Sequence, residues 1–476
     1  MSQIKTMFKN ISWVMTSQLL VSIFGFIWTI LIARYLGVKD YGILGFATSI
    51  VGIVGLTLDL GINNYTVRQI ATDKDSAQKF LSNIFPLKSL LSVGTFVLMF
   101  IILILMKCDE TTITITLLFM INSIFQTMIA TVNGAFQAFE KMKYQGIGNT
   151  SSNILLFISI LLTIYTDLGL MGITGSYIIA SALGFIYEYY AFNKHILKPK
   201  FEFDKTFCKN LIKSSIPFAM MGILFSIYYS IDIVMLNNII GDYATGLYNA
   251  TYKLISALTL FYGMYAAVLY PVMSKFFKKD KNMMVIYYEK SIKYLMMLMI
   301  PFAIATSFYS TDIMLIIYGQ EYAMGGPILS ILIWTGCLLF ANGAGNTLLN
   351  ASHKEVTVTK IYSIAAIFNI ILNFILIPYL SYIGAAITTV LSDIMIFIIQ
   401  KYTIHKLGQK PNKKLYYDVT KIILSSIALG IALNLLNLNI WVAIPVGILI
   451  YLVCIIILKT FDEDDKYIIN EILGRN

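Results

Sequence analysis

Charge is what this sequence most lacks. Of its 476 residues only 13% are Asp, Glu, Lys or Arg, while 58% are hydrophobic. A soluble domain carries about 25% charged residues, so charge this sparse cannot cover the surface of a soluble chain of this length. Arginine is almost missing. Arg34, Arg68 and Arg475 are the only ones, and lysine supplies every other basic residue. Four widely scattered cysteines (Cys108, Cys208, Cys337 and Cys454) form no CxxC and have no His at ligand spacing, so no metal site is read. The three histidines, His195, His353 and His405, fall in short polar connections between apolar runs and read as solvated loop residues. No phosphate-binding glycine loop is present, which excludes direct ATP coupling through that motif.

What the sequence has instead is apolar length. A span of about 20 apolar residues crosses a bilayer. Such runs fall near 11–34, 41–60, 82–106, 113–138, 147–165, 173–192, 214–236, 246–270, 292–317, 327–349, 361–377, 384–402, 420–436 and 441–458. The expectation is an all-α polytopic membrane protein with 14 transmembrane helices. The first run is too long for a signal peptide and lacks a small-residue cleavage pattern, so it is expected to stay as the first membrane helix.

Lysine placement tests that count, because basic residues collect on the cytoplasmic side. With the N-terminus inside, 30 of the 35 basic residues fall in inside segments. Arg34, Lys39 and Lys107 fall outside, and Lys88 and Lys253 lie within spans. Both termini are therefore expected in the cytoplasm, and the protein in the cell (plasma or inner) membrane. The net charge of +10 is then a membrane-orienting charge facing anionic headgroups, spread over eight segments, and not a nucleic-acid patch. The acidic run "DEDD" (462–465) reads as a solvated stretch of the cytoplasmic tail.

The chain also resembles itself. "YLGVKDYGILGFATSI" is matched in sense by "IIGDYATGLYNATYKL", with Gly37 and Gly42 each 204 residues before Gly241 and Gly246. "QAFEKMKYQGIGNTSSN" (137–153) resembles "NASHKEVTVTKIYSIAA" (350–366), and Gly172 precedes Gly384 by 212. Six spans per half make parallel repeats, the usual build of a secondary transporter with its substrate path between the halves. The reading is a first six-helix half at 1–200, a second at 201–410, and helices 13 and 14 with the tail at 411–476.

The stretch "LIARYLGVKDYGILGFATSIVGIVGLTLDLGINNYTVRQIA" (31–71) carries the pattern A-R-x-L-G-x-x-x-Y-G, then D-L-G, then V-R-x-I-A. It resembles the signature hairpin of the polysaccharide transport family, the O-antigen-type flippase branch of the multidrug/oligosaccharidyl-lipid/polysaccharide exporter superfamily. "IDIVMLNNIIGDYATGLYNATYKL" (231–254) resembles that family's seventh and eighth helices. The resemblance implies a flippase that carries a polyprenyl-(pyro)phosphate-linked oligosaccharide from the cytoplasmic to the outer leaflet by alternating access. It further implies a proton or sodium ion as coupling ion, no bound cofactor, and glycosyltransferases or a polymerase of the same pathway as partners. One departure counts against a peptidoglycan precursor as cargo. The lipid II flippase branch carries an Arg-Asp pair after Gly-Phe in its first helix, and here Gly25-Phe26 leads to Ile27-Trp28-Thr29.

Ionisable groups inside a bilayer cost about 2.5–3.5 kcal/mol each on insertion scales and tend to face a cavity or a partner. Asp232 and Lys253 fall at matching depth, about 10–14 Å below the outer turn at 1.5 Å per residue, and are expected to meet as an ion pair on the substrate path. Asp59 and Lys88 share a depth nearer the inside. Asp393 is midway along the twelfth helix, Glu188 is late in the sixth, and Arg34 closes the first at the outer surface. Asp59, beside Leu60-Gly61, and Arg34 also read as structural. Sugar hydroxyls suit Tyr and Asn partners, and helices 7 and 8 supply Tyr228, Tyr229, Asn249, Tyr252, Tyr262 and Tyr265.

Two other functions compete. A cation-coupled multidrug exporter of the same superfamily wants a lumen dominated by carboxylates, whereas acidic and basic groups are mixed here. An integral-membrane glycosyltransferase or ligase usually needs a large outer domain, and the outer connections here are as short as "TDLGLMG" and "NLN".

Overall fold

Helix boundaries in this chain follow from a few side chains and a few left-handed residues. Asp109, Asp204, Asp280, Asn412 and Asn439 each accept backbone N–H groups of the helix they precede, satisfying donors that a helix start leaves open. The turn "NLN" (437–439) uses asparagine twice. Asn437 ends one helix in the left-handed conformation (φ 42°) and Asn439 caps the next.

The computed structural model describes residues 3–461 and Asp465. Among these the chain is helical, without strands. The helices are α1 (Gln3–Val54), α2 (Ile62–Thr72), α3 (Ala77–Leu105), α4 (Glu110–Ala138), α5 (Met142–Thr166), α6 (Gly169–His195), α7 (Lys205–Ile239), α8 (Asp242–Lys279), α9 (Lys281–Phe308), α10 (Ser310–Tyr318), α11 (Gly326–Ala351), α12 (Glu355–Lys406), α13 (Lys413–Leu436) and α14 (Ile440–Ile457). All but α2 and α10 contain a stretch long and apolar enough to cross a membrane, which makes 12 candidate spans among the described residues.

Two of the twelve are too long for one crossing. α1 and α12 have 52 residues each, about 78 Å if straight. Each contains one non-helical residue, Gly37 (φ 71°, ψ 175°) and Ser381 (φ 52°, ψ −135°). The chain turns back at Ser381. Residues eight apart on a straight helix are separated by about 12 Å, yet a Cβ added to Gly384 would stand 2.6 Å from the carbonyl oxygen of Leu376.

Two expectations are corrected. The run read as one span at 292–317 is two helices, since Tyr309 leaves helical geometry (φ −100°, ψ 21°) between α9 and α10. The acidic run is not wholly solvated: Asp465 is buried and held by Lys290, Lys293 and Tyr294. Residues 462–464 of that run, and the tail from 466, lie outside the described residues.

The chain packs as two compact units, residues 1–249 and 250–476. In the first, α6 lies against both α4 and α5, and α1 against α5 and α7. Its core includes Ile70, Leu81, Phe85, Val132, Phe136 and Phe192. In the second, α11 packs on α9 and α12, and α13 joins α9 to α14. α14 leaves Trp441, Leu449 and Ile457 more than half exposed, as a helix facing hydrocarbon does.

One contact in the first unit is set by glycine alone. A Cβ on Gly42 would lie 1.9 Å from the carbonyl oxygen of Asp242, and a Cβ on Gly246 would lie 1.9 Å from that of Val38. The two contacts are one contact made twice, because 42 and 246, like 38 and 242, are 204 apart. Local two-fold symmetry produces this reciprocity. Gly45 extends the crossing and meets the side chain of Asn249.

Alanine at Gly42 or Gly246 should therefore force the backbones apart, at about 1–3 kcal/mol each. Alanine at Gly94, a helical glycine with nothing within 4 Å of an added Cβ, should leave stability unchanged or slightly raised. Thermal unfolding of the purified variants checks this, and equal effects at all three positions would contradict it.

Candidate functional site

Asp59, Leu60 and Gly61 form a corner. Leu60 (φ 47°) and Gly61 (φ 74°) are both left-handed, and a Cβ on Gly61 would strike the backbone of Ser215 and Ala219 at 2.7 Å. Asp59 accepts the Asn63 N–H that opens α2 (3.3 Å). The same carboxylate pairs with Lys88 of α3 at 2.6 Å. Lys88 is fully buried and also donates to Asn63 Oδ1 (2.8 Å), Thr131 Oγ1 (2.7 Å) and the Thr127 carbonyl (3.3 Å). Asp59 and Lys88, read as sharing a depth, are thus joined directly, and Asp59 both shapes the turn and neutralises the lysine.

Asp232 of α7 is buried, and Tyr248 Oη donates to its carboxylate at 3.0 Å. Lys253, about three turns into α8, is exposed. Among the described residues its side chain makes no ion pair or hydrogen bond, so the counter-charge expected for it is not supplied in this structure. Arg34 is exposed as well. Asp393 is buried in α12, and Asn342 donates to its backbone carbonyl (3.1 Å). Glu188 of α6 is fully buried against Gly148.

The tyrosine and asparagine candidates divide. Tyr262 shares a hydrogen bond with Thr347 (2.9 Å), and Tyr265 donates to Ser291 (2.7 Å). Asn249 is wedged on Gly45. Tyr228 is buried and packs edge-on against the exposed Tyr229 (5.3 Å between centroids), while Tyr252 is half-buried.

Sequence reasoning missed an amide seam across α11 and α12. Asn346 donates to Tyr362 Oη (2.7 Å), and Gln400 donates to Asn346 (2.8 Å). It also missed Asn63 and Thr131 as partners of Lys88. Amides and hydroxyls inside otherwise apolar runs were the available signal.

The pieces so far are those of a membrane transport protein: long apolar helices, two of them broken at a single residue, with polar groups gathered inside. The family model described as "Polysaccharide biosynthesis protein" matches residues 7–277, and one described as "MatE" matches residues 217–375. The chain belongs to the polysaccharide biosynthesis protein family, and the resemblance of its first hairpin is thereby upheld. The capsular polysaccharide biosynthesis protein CapF of Staphylococcus aureus is 24% identical over 406 residues, which cover 83% of this chain and 98% of CapF. A membrane protein of Methanocaldococcus jannaschii is 25% identical over 443 residues, covering 85% of this chain and 86% of that one. A solved structure of the lipid II flippase MurJ in an inward closed conformation shares the fold, with a TM-score of 0.77 at 20% identity, over 93% of this chain and 98% of MurJ.

Replacing Lys88 by Met strands the Asp59 carboxylate and should cost about 3 kcal/mol of stability. Because the two residues share one interaction, adding Asp59→Asn should cost much less than its effect alone. A double-mutant cycle on unfolding in denaturing detergent checks this, and strictly additive losses would show that the pair is not coupled.

Proposed function

We propose that this protein is a flippase that moves a polyprenyl-(pyro)phosphate-linked oligosaccharide from the cytoplasmic to the outer leaflet by alternating access, coupled to a proton or sodium ion. The observation that carries this reading is the character of the accessible charge. Lys253 interrupts an apolar helix, is exposed, and is not neutralised. Asp59 and Asp232 are engaged by Lys88 and Tyr248. A cation in that state suits a phosphate. A multidrug exporter for cationic compounds needs the reverse, accessible carboxylates.

The matched family and the similarity to CapF support polysaccharide assembly as the process. Glycosyltransferases or a polymerase of the same pathway are the partners that follow. The MurJ-like fold supports a lipid-linked cargo. Gly25-Phe26 is followed here by Ile27, the buried Trp28 and Thr29, whose hydroxyl turns back to the Gly25 carbonyl (2.7 Å). No charge stands there for a lipid II headgroup, so we take the cargo to be a different lipid-linked sugar.

In this scheme the breaks at Gly37 and Ser381 are turns between crossings. Twelve spans then become fourteen, both termini are cytoplasmic, and the repeats run parallel. Phosphate arrives at Lys253, the sugar hydroxyls meet Tyr252 beside it in the chain, and the polyprenyl tail stays in the bilayer. Asp232 is the acidic group we assign to exchanging a proton or sodium ion with the passage of the cargo.

Lys253→Ala should reduce flipping in proteoliposomes about tenfold or more with folding intact, and Lys253→Arg should keep partial activity, since charge survives but the compact ammonium does not. Full activity in the Ala variant would remove Lys253 from the path. For the topology, a cysteine at Lys39 should react with an impermeant thiol reagent added to intact cells, and one at Lys279 should not. Labelling at position 279 from outside would overturn the orientation.

A further inference from the structure

We propose that the face of α9 formed by Lys290, Lys293 and Tyr294 is a receptor for the phosphate of an anionic lipid headgroup, and that Asp465 is an internal ligand occupying it in this structure. The site is separate from Lys253 and does not depend on which cargo is flipped.

The three donors stand at i, i+3 and i+4, one face of one turn. They converge on a single carboxylate with no exposed surface. Lys290 Nζ reaches Asp465 Oδ1 at 2.5 Å, Tyr294 Oη donates to the same oxygen at 2.6 Å, and Lys293 Nζ holds Oδ2. Lys293 is itself buried and has a second carboxylate, Asp418 of α13, at 3.0 Å. Two lysines and a tyrosine hydroxyl arranged around one pair of oxygens is the geometry that holds any tetrahedral or planar oxyanion.

Room for something larger than a carboxylate adjoins it. A cavity of about 220 Å³ is lined by Glu289, Lys290, Lys293, Asn412, Lys414 and Asp418. With Asp465 in place the local charges balance, three lysines against Glu289, Asp418 and Asp465. With Asp465 withdrawn, Lys293 keeps Asp418 but Lys290 loses its carboxylate, and one positive charge is left over beside the cavity. An anion entering there would restore the balance. In the orientation proposed above, this end of α9 and α13 lies on the cytoplasmic side, at the level of anionic headgroups, and basic pockets between membrane helices there suit lipid phosphates.

An internal ligand lowers apparent affinity by the fraction of molecules in which it occupies the site. Asp465→Asn removes its charge at nearly constant shape and should tighten binding. The experiment uses the full chain in neutral detergent, with native mass spectrometry counting retained phosphatidylglycerol, phosphatidylcholine or inorganic phosphate. Asp465→Asn should bind phosphatidylglycerol about tenfold more tightly than the native chain, with phosphatidylcholine unchanged. Adding Lys290→Gln to that variant should abolish the gain. Lys290→Gln in the otherwise native chain leaves Asp465 on Lys293 and Tyr294, and should weaken phosphatidylglycerol retention.

Three results overturn the proposal. One is a folded Asp465→Asn variant with no phosphatidylglycerol-specific gain, which makes the cluster a structural ion network. Another is a gain for inorganic phosphate but not for the lipid, which rejects the lipid as ligand. The third, informative even if Asp465→Asn fails to fold, is unchanged phosphatidylglycerol retention in Lys290→Gln.

Discussion

The closeness of two backbones at Gly42 and Gly246 is the constraint on which the first unit depends. Apolar side chains gain little by leaving lipid for one another, so membrane helices associate through close packing, and small residues make that packing possible. Here the approach is so close that a single added carbon on either glycine would overlap a carbonyl. Its reciprocity gives the sequence repeat a physical meaning. The 204-residue offset relates the two sides of one crossing. Each crossing glycine is preceded at a fixed distance by a left-handed glycine, Gly37 (φ 71°) or Gly241 (φ 113°), that starts the helix carrying it. The A-R-x-L-G-x-x-x-Y-G pattern is thus a turn followed by a crossing, with the buried Tyr41 beside it.

Around this frame the ionisable groups fall into two kinds. Lys88, Asp59, Asp232, Lys293 and Asp418 are held by named partners within their own units. Partnered charges of this kind add little net stability, yet removing one member is costly, so they fix geometry. Lys253 is accessible instead. A membrane protein that keeps an accessible, unneutralised lysine bears the cost of doing so throughout its cycle, which is explained if an anion passes it. Family membership and fold agree on a transporter rather than an enzyme, and that charge is the ground on which we propose a lipid-linked cargo.

Much of the architecture was legible because hydrocarbon imposes a simple rule on sequence. Apolar length gave the helices, and the breaks at Gly37 in α1 and Ser381 in α12 fall where the sequence shows a gap between two runs. The break at Tyr309 was passed over although Ser307, Ser310, Thr311 and Asp312 interrupt the apolar run around it; a few polar residues within one run do not by themselves tell a break from a polar stripe on a continuous helix. Partners distant in sequence were harder still. The shared depth of Asp59 and Lys88 was legible, but their pairing was not read from it, nor were Asn63 and Thr131 as partners, because an amide or hydroxyl inside an apolar run looks the same whether it bonds its own helix or reaches across. Asp465 was misread for the opposite reason. An acidic run resembles a solvated tail, and only the fold brings the lysines of α9 to it.

Transport itself remains the most direct test. Proteoliposomes holding the purified protein, loaded in parallel with a labelled polyprenyl-diphosphate oligosaccharide or with a cationic dye, separate the two chemistries in one measurement. The account predicts that the labelled lipid crosses between leaflets faster than in protein-free vesicles, with no dye transport. Dye transport without movement of the lipid would contradict it.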